Sequence, residues 1–312
     1  MNFSSLIRQH WAALRALLVL TVILGLAYPA FIWLIAQIPG LRENANGSIV
    51  DAGGKPVGSS LIGQSFTDAE GNALPQYFQS RPSAAGNGYD PLATSASNLG
   101  PESIVDTPGD PSLAKDDNGY KASLLTQVCQ RSAAVGELEG VSGARPFCTG
   151  GGGRGERSDG ESVGAVLSVI GPRTASGDVV HPTRVVSVNE PCETTKTPFL
   201  STYEGARVEC AKFGEDYAIG QIVPIRGAAP AEPAVPADAV TASASGLDPH
   251  ISPAYAAIQV DRIAKARGVS PDLIRTAVAD NTAGRTLGYF GEPRVNVLML
   301  NVELDEKYPV KS

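Results

Sequence analysis

Residues 240–268 read VTASASGLDPHISPAYAAIQVDRIAKARG, and this stretch spells out a loop, a cap, a helix and a stop. Thr241 to Gly246 is a loop of small polar residues with one apolar anchor, Leu247, after it. Asp248-Pro249 forces an extended or turn conformation, because a proline ring restricts the residue before it. Ser252 then offers an N-cap hydroxyl, and Pro253 takes the first helical position, where a missing N–H costs nothing. Ala256, Val260, Ile263 and Ala264 fall on one helical stripe. Lys265 and Arg267 suit the negative end of the helix dipole, and Gly268 suits the left-handed residue that ends it.

Outward from this helix, Ser270-Pro271 repeats the cap-then-proline pattern and predicts a second helix to about Asn281. Thr286–Phe290 reads as a short strand. Pro293–Leu304 suits either element: Val295, Leu298 and Val302 share a helical face, while the valines favour a strand. Helix is the preferred reading. Upstream, Gly47–Val50 and Val57–Ile62 predict two short strands around a Gly-rich turn, and Tyr77-Phe78 a strand end before Arg81-Pro82. Lys121–Val128 predicts a short helix.

The N-terminus sets the class. Ala16 to Ile38 carries no charge and is long enough, as a helix, to cross a ~30 Å hydrocarbon layer. It is too long for the apolar part of a cleaved signal peptide. Trp11 and Trp33 lie toward its ends, and Pro29 inside it predicts a kink. Arg8 and Arg15 precede the span, which favours an N-terminus inside the cell and the bulk of the chain outside. A net charge of −7 argues against a nucleic-acid partner.

Between about 140 and 232 the chain changes character. Arg145–Gly160 is a Gly-rich loop, and Val163–Ile170, Val179–Val188, Arg207–Phe213 and Tyr217–Ile225 are β-branched runs parted by turn residues. Ala228–Pro236 is an Ala/Pro linker. Four cysteines, Cys129, Cys148, Cys192 and Cys210, permit three pairings, and none has the CxxC spacing of a zinc site. Local closure favours Cys129–Cys148 and Cys192–Cys210, in an oxidising compartment.

Five stretches resemble one family. YFQSRPSA (77–84), ASNLGP (96–101), GLDPHISP (246–253), the Ala-rich helix with Gln259 and Arg262, and GEPRVNVLMLN (291–301) are similar, in this order, to the C subunit of the Kdp potassium-transporting P-type ATPase, the KdpC family. The resemblance covers roughly 1–125 and 235–306 and makes the segment between an insertion particular to this sequence. It implies a non-hydrolysing accessory subunit of an ATP-driven, high-affinity potassium importer. Its partners would be a potassium-channel-like subunit, the P-type ATPase catalytic subunit, a small peptide subunit and the lipid bilayer. It also implies a catalytic chaperone that raises the ATP affinity of the hydrolysing subunit, with Gln259 as candidate nucleotide contact and ATP shared rather than tightly bound as a cofactor. An outer domain does not meet cytoplasmic ATP, so topology takes precedence and the effect would be allosteric. Ser243, Ser245, Gly246, Leu247, Asp248, His250, Ser252, Arg262, Tyr77, Phe78, Arg81 and Asn98 are the candidate loop or partner-interface residues, and Asn296 and Asn301 are expected to order the core.

Two chemistries compete with this. Ser243, Ser245, Asp248 and His250 are the right residue types for a serine hydrolase, but they crowd within eight residues and lack a GxSxG elbow. A secreted binding module is the third possibility. The phosphate-accepting sequence of a P-type pump is missing, as is a P-loop, since Gly54-Lys55 is followed by Pro56. The sequence therefore predicts a cytoplasmic N-terminus (1–15), one transmembrane helix (16–38), and an extracytoplasmic α/β domain (39–139 and 233–312) interrupted by a β-rich, disulfide-bearing insertion (140–232).

Overall fold

The computed structural model describes residues 3–85, 90, 92–93, 99–114, 117–150 and 162–310. Asn98 and the centre of the Gly-rich loop lie outside the described residues. The chain divides into two compact units, Met1–Leu61 and Ile62–Ser312.

The first unit is led by α1 (Phe3–Val22) and α2 (Tyr28–Ala36), continuous through one wide turn at Ile23–Ala27. In that turn Tyr28 N–H bonds the carbonyl of Ile23, and the widening sits just ahead of Pro29, whose ring and missing N–H disturb a regular ladder. The expected break is thus a wide turn inside a helix that begins earlier than Ala16. Over 34 residues it is apolar enough to cross a membrane, and none of it is buried in the protein. A short helix α3 (Arg42–Ala45) leads to a hairpin of β1 (Ile49–Ala52) and β2 (Lys55–Ser59), the expected strands shifted by a few residues.

The second unit holds the remaining elements. Helix α4 (Leu124–Glu139) is twice the length read from the sequence; Ser123 caps it by accepting from Thr126 N–H, and Gly140 ends it at φ +68°. Strands β3 (Val166–Ile170), β4 (Arg184–Pro191), β5 (Thr202–Tyr203), β6 (Ala206–Ala211) and β7 (Gln221–Pro224) form one sheet in the order β5-β6-β4-β3-β7, antiparallel except for β4 with β6. Both faces of β3 and β4 are buried: Val166, Val186 and Val188 on one side, Leu167, Val169 and Val185 on the other. The Val179–Val188 run becomes a strand only from Arg184, because Arg173 to Val179 closes its own turn.

The quoted stretch folds as read. Strand β8 (His250–Ile251) runs into α5 (Pro253–Arg267), with the Ser252 hydroxyl accepting from Tyr255 N–H and Gly268 at φ +67°. Helix α6 (Pro271–Asp280) follows, and Ser270 holds its N-cap position without a side-chain cap bond. Strands β9 (Thr282–Ala283) and β10 (Arg294–Asn296) join β8 in a small antiparallel sheet, order β8-β10-β9. Helix α7 (Val297–Lys307) closes the chain, so the ambiguous Pro293–Leu304 run is a strand that turns directly into a helix. Thr286–Phe290 is a turn closed by one bridge, not a strand. Phe78 with residues of α5, α6 and α7 makes the core of this half.

Candidate functional site

The motif residues converge on one irregular segment, Leu74–Gln79. Tyr77-Phe78 is not the strand end expected. Among the described residues no strand pairs with its backbone, and side chains supply the bonds instead. Gln259 Oε1 accepts from Gln79 N–H at 2.7 Å while its Nε2 donates to Gln79 O at 3.1 Å. Asn301 does the same one residue earlier, its Oδ1 accepting from Phe78 N–H at 2.9 Å and its Nδ2 donating to Phe78 O at 3.0 Å. A primary amide carries the donor and acceptor of a peptide group, so two such side chains satisfy two consecutive backbone units as a strand would.

Two arginines complete the grip. Arg262 donates through Nη1 to the carbonyls of Pro75 at 2.7 Å and Tyr77 at 3.0 Å, through Nη2 to Gln259 Oε1 at 2.9 Å, and through Nε to Glu139 Oε2 at 2.9 Å. The Glu139 side chain is fully enclosed, and its Oε1 has no hydrogen-bond partner among the described residues. Burial pushes its carboxyl above the ordinary value, and the Arg262 guanidinium pulls it partly back. Arg267, buried at the end of α5, donates to Gln76 O, to the carbonyls of Leu304 and Tyr308, and to Asp305 Oδ1, with its guanidinium over the Tyr77 ring. Tyr77 hydroxyl donates to the other Asp305 oxygen.

The GLDPH loop is held by the same device. Arg81 pairs with Asp248 at 2.9 Å and reaches Thr241 O, while Ser243 exchanges backbone bonds with Pro82 and Ala84. Gly246 lies at φ +71°, its N–H given to Ser243 Oγ. Leu247 O accepts from Gly63 N–H, and a Cβ on Gly63 would stand 2.7 Å from Asp248 O. Ser252 donates to Asp238, whose carboxylate also takes the Ser252 N–H. His250 Nδ1 lies 3.6 Å from Asp248 Oδ1, and desolvation holds the imidazole below its usual range despite that carboxylate. No hydrogen bond among the described residues joins this ring to a serine hydroxyl. Asp248 is taken by Arg81 and by His250 N–H, and Ser243 Oγ by Gly246. The hydrolase reading is not supported.

Gln259 is fully buried, with its donor and its acceptor both engaged inside the protein. Its position was legible: it lies three residues after Ala256 and four before Ile263, on the buried stripe, and Arg267 continues that stripe. Glu139 and Asp238 carried no sequence signal, because each acts through a contact more than ten residues away, and Gln79 was legible only as part of the 77–84 motif. Both cysteine pairs are at bonding distance in the local arrangement, Cys129–Cys148 and Cys192–Cys210.

An N-terminal helix long and apolar enough to cross a bilayer, and an α/β unit whose charged and amide side chains brace its own backbone, fit the class of membrane-associated proteins. Comparison with known proteins makes the class specific. The family model KdpC, described as K+-transporting ATPase, c chain, matches residues 10–106 and 219–306. A KdpC subunit of a potassium-transporting ATPase from Kineococcus radiotolerans is 34% identical over 306 residues, covering 98% of this chain and 97% of that protein. Those from Koribacter versatilis and Burkholderia orbicola are 31% and 35% identical, covering 94% and 92% of this chain and 91% and 90% of theirs. The chain belongs to the KdpC family and is an accessory subunit of a potassium-transport complex. The family model leaves residues 107–218 unmatched, while the alignment with the Kineococcus radiotolerans protein runs over 306 residues.

Proposed function

We propose that this subunit stabilises assembly of an ATP-driven potassium importer from outside the cytoplasm, held by one span, and that it alters ATP affinity only by favouring one conformation of the hydrolysing subunit. The observation that carries this reading is the closure of Gln259, Asn301, Arg262 and Arg267 on the 74–79 backbone. These side chains make a stiff body and are not turned toward a ligand. A stiff body exerts influence through its surface, as a differential contact with two states of a partner. Gln259 is then a brace, and nucleotide is bound by the catalytic subunit alone. Two disulfides and the arginines ahead of the span support placement of the second unit outside. The partners are the potassium-channel-like subunit, the P-type catalytic subunit and the small peptide subunit, with the span in the bilayer.

The test is to purify the complex with the full chain and with a chain ending at Leu61, which keeps the first compact unit. Loss of assembly, or a raised KM for ATP in the complex that remains, is the expected result. Unchanged assembly, transport and KM would sink the proposal.

A further inference from the structure

Helix α1 does not stop where its charges begin. It runs unbroken through residues 8–15, RQHWAALR, and on to Phe3. Arg8, Trp11 and Arg15 are spaced i, i+3 and i+7, so they share one face, while Leu6, Ala13 and Leu17 lie on the opposite one. All three of the first set are exposed, Trp11 at 57%. The Arg15 guanidinium stands over the Trp11 ring, 5.9 Å from its centroid. Such a contact uses the flat face of a guanidinium and leaves its N–H edge outward. Arg8 turns back along the helix and donates through Nε to Ser4 O at 3.3 Å. No Asp or Glu precedes Glu43, so the first unit supplies these arginines with no carboxylate at their own end of the helix.

Depth decides what they meet. With the charge-free stretch Ala16–Ile38 in hydrocarbon, Arg15 lies at its edge and Arg8 stands about 10 Å further along the axis. The polar layer on each side of a bilayer is about 5–8 Å deep, and a long arginine stem reaches back into it. Trp11, between the two, is the residue type that prefers this layer. Lipid phosphate surrounds the helix at that level, and a guanidinium edge takes a phosphate through two parallel N–H bonds. An acidic side chain of another subunit would compete there with phosphate already present on every side.

We propose that Arg8 and Arg15, set about Trp11, form a headgroup site for anionic phospholipid in the cytoplasmic leaflet, an inference that rests on the span and topology of the proposed function. The full chain reconstituted into phosphatidylcholine vesicles, with a trace of spin-labelled phosphatidylglycerol or spin-labelled phosphatidylcholine, tests it. Electron paramagnetic resonance reads the fraction of each probe immobilised at the protein. The expected result is a preference for the phosphatidylglycerol probe of about fivefold, the worth of one arginine beside an anionic surface, falling as sodium chloride is raised. Arg8→Gln with Arg15→Gln should abolish it. Arg42→Gln, at the other end of the span beside Glu43, should leave it intact. Each replaced side chain is exposed, so the fold is retained. Equal retention of the two probes, a preference that survives the double substitution, or one lost equally in Arg42→Gln would overturn the site. Displacement of the probe by sodium phosphate at matched ionic strength would overturn it too, by showing a site for free anion. So would a preference that the double substitution does not lower in the complex co-purified with the other subunits, which would mark an acidic partner on this face. A chain washed from the vesicles at alkaline pH would instead sink the span, and a second unit found in the cytoplasm would sink the topology.

Discussion

Gln259 and Asn301 each occupy a place that a neighbouring strand would fill, so removing either amide leaves a backbone N–H and C=O without partners. Leaving buried polar groups unpaired costs about 1–3 kcal/mol apiece. Gln259→Ala and Asn301→Ala are each expected to lower stability by about 2–4 kcal/mol in chemical denaturation. A Gln259→Ala chain with wild-type stability and a raised ATP KM in the complex would contradict the bracing role. Glu139 gives a prediction in pH. Its folded pKa lies above the ordinary 4.5 because of burial, so the folded chain holds that proton more tightly than the unfolded chain. Its stabilising contribution is therefore full below 4.5 and is lost as pH rises through the raised folded value. Glu139→Gln cannot lose that proton, so the advantage of wild type in Tm over the variant should shrink as pH rises; a widening gap would show that the Arg262 pair outweighs desolvation. Of these residues, Gln259 and Arg262 stood out in the sequence through their motif, while Glu139 did not. Its partner is 123 residues away, and nothing in α4's own pattern marks it as an ion-pair residue.

The elements that read most clearly were those with both a start and a stop written locally. Helix α5 has Ser252-Pro253 at one end and Gly268 at the other, and its bounds match the reading. Helix α4 was cut short because its far half, Cys129–Glu139, buries only Cys129, Ser132, Gly136 and Glu139, a stripe too polar to show as apolar periodicity. Tyr77-Phe78 read as a strand end because Tyr and Phe favour strands, yet the pairing there comes from side chains of α5 and α7. Close approach of this half's loops rests on Gly63. A methyl there would stand 2.7 Å from Asp248 O and 3.0 Å from Gly246 O, both backbone atoms that cannot swing aside. Gly63→Ala should cost about 1–3 kcal/mol, the usual range for overpacking. A thermal scan showing no loss would mean that the 246–248 loop yields more freely than its bonds to Gly63 and Arg81 suggest.

At the scale of the whole molecule, one disulfide ties the β-rich segment to α4, Cys129 with Cys148, and the other lies within that segment, joining Cys192 at the end of β4 to Cys210 in β6. Closing loops of 19 and 18 residues should stabilise by about 3 kcal/mol each. Replacing the Cys129 and Cys148 pair by Ser should lower the denaturation midpoint accordingly, and an unchanged midpoint would show that helix packing alone holds that junction. The pairing was legible from spacing; the mixed sheet with a parallel β4–β6 pair was not, since strand order is set by long-range packing. Everything proposed for this chain depends on which side of the membrane the second unit occupies. Among the described residues no cysteine is free, so Asp261→Cys, at a side chain 79% exposed on α5, introduces a single reactive thiol. A membrane-impermeant maleimide added to intact cells, or to spheroplasts where an outer membrane blocks access, should label it fully. Labelling only after the inner membrane is opened would contradict the account.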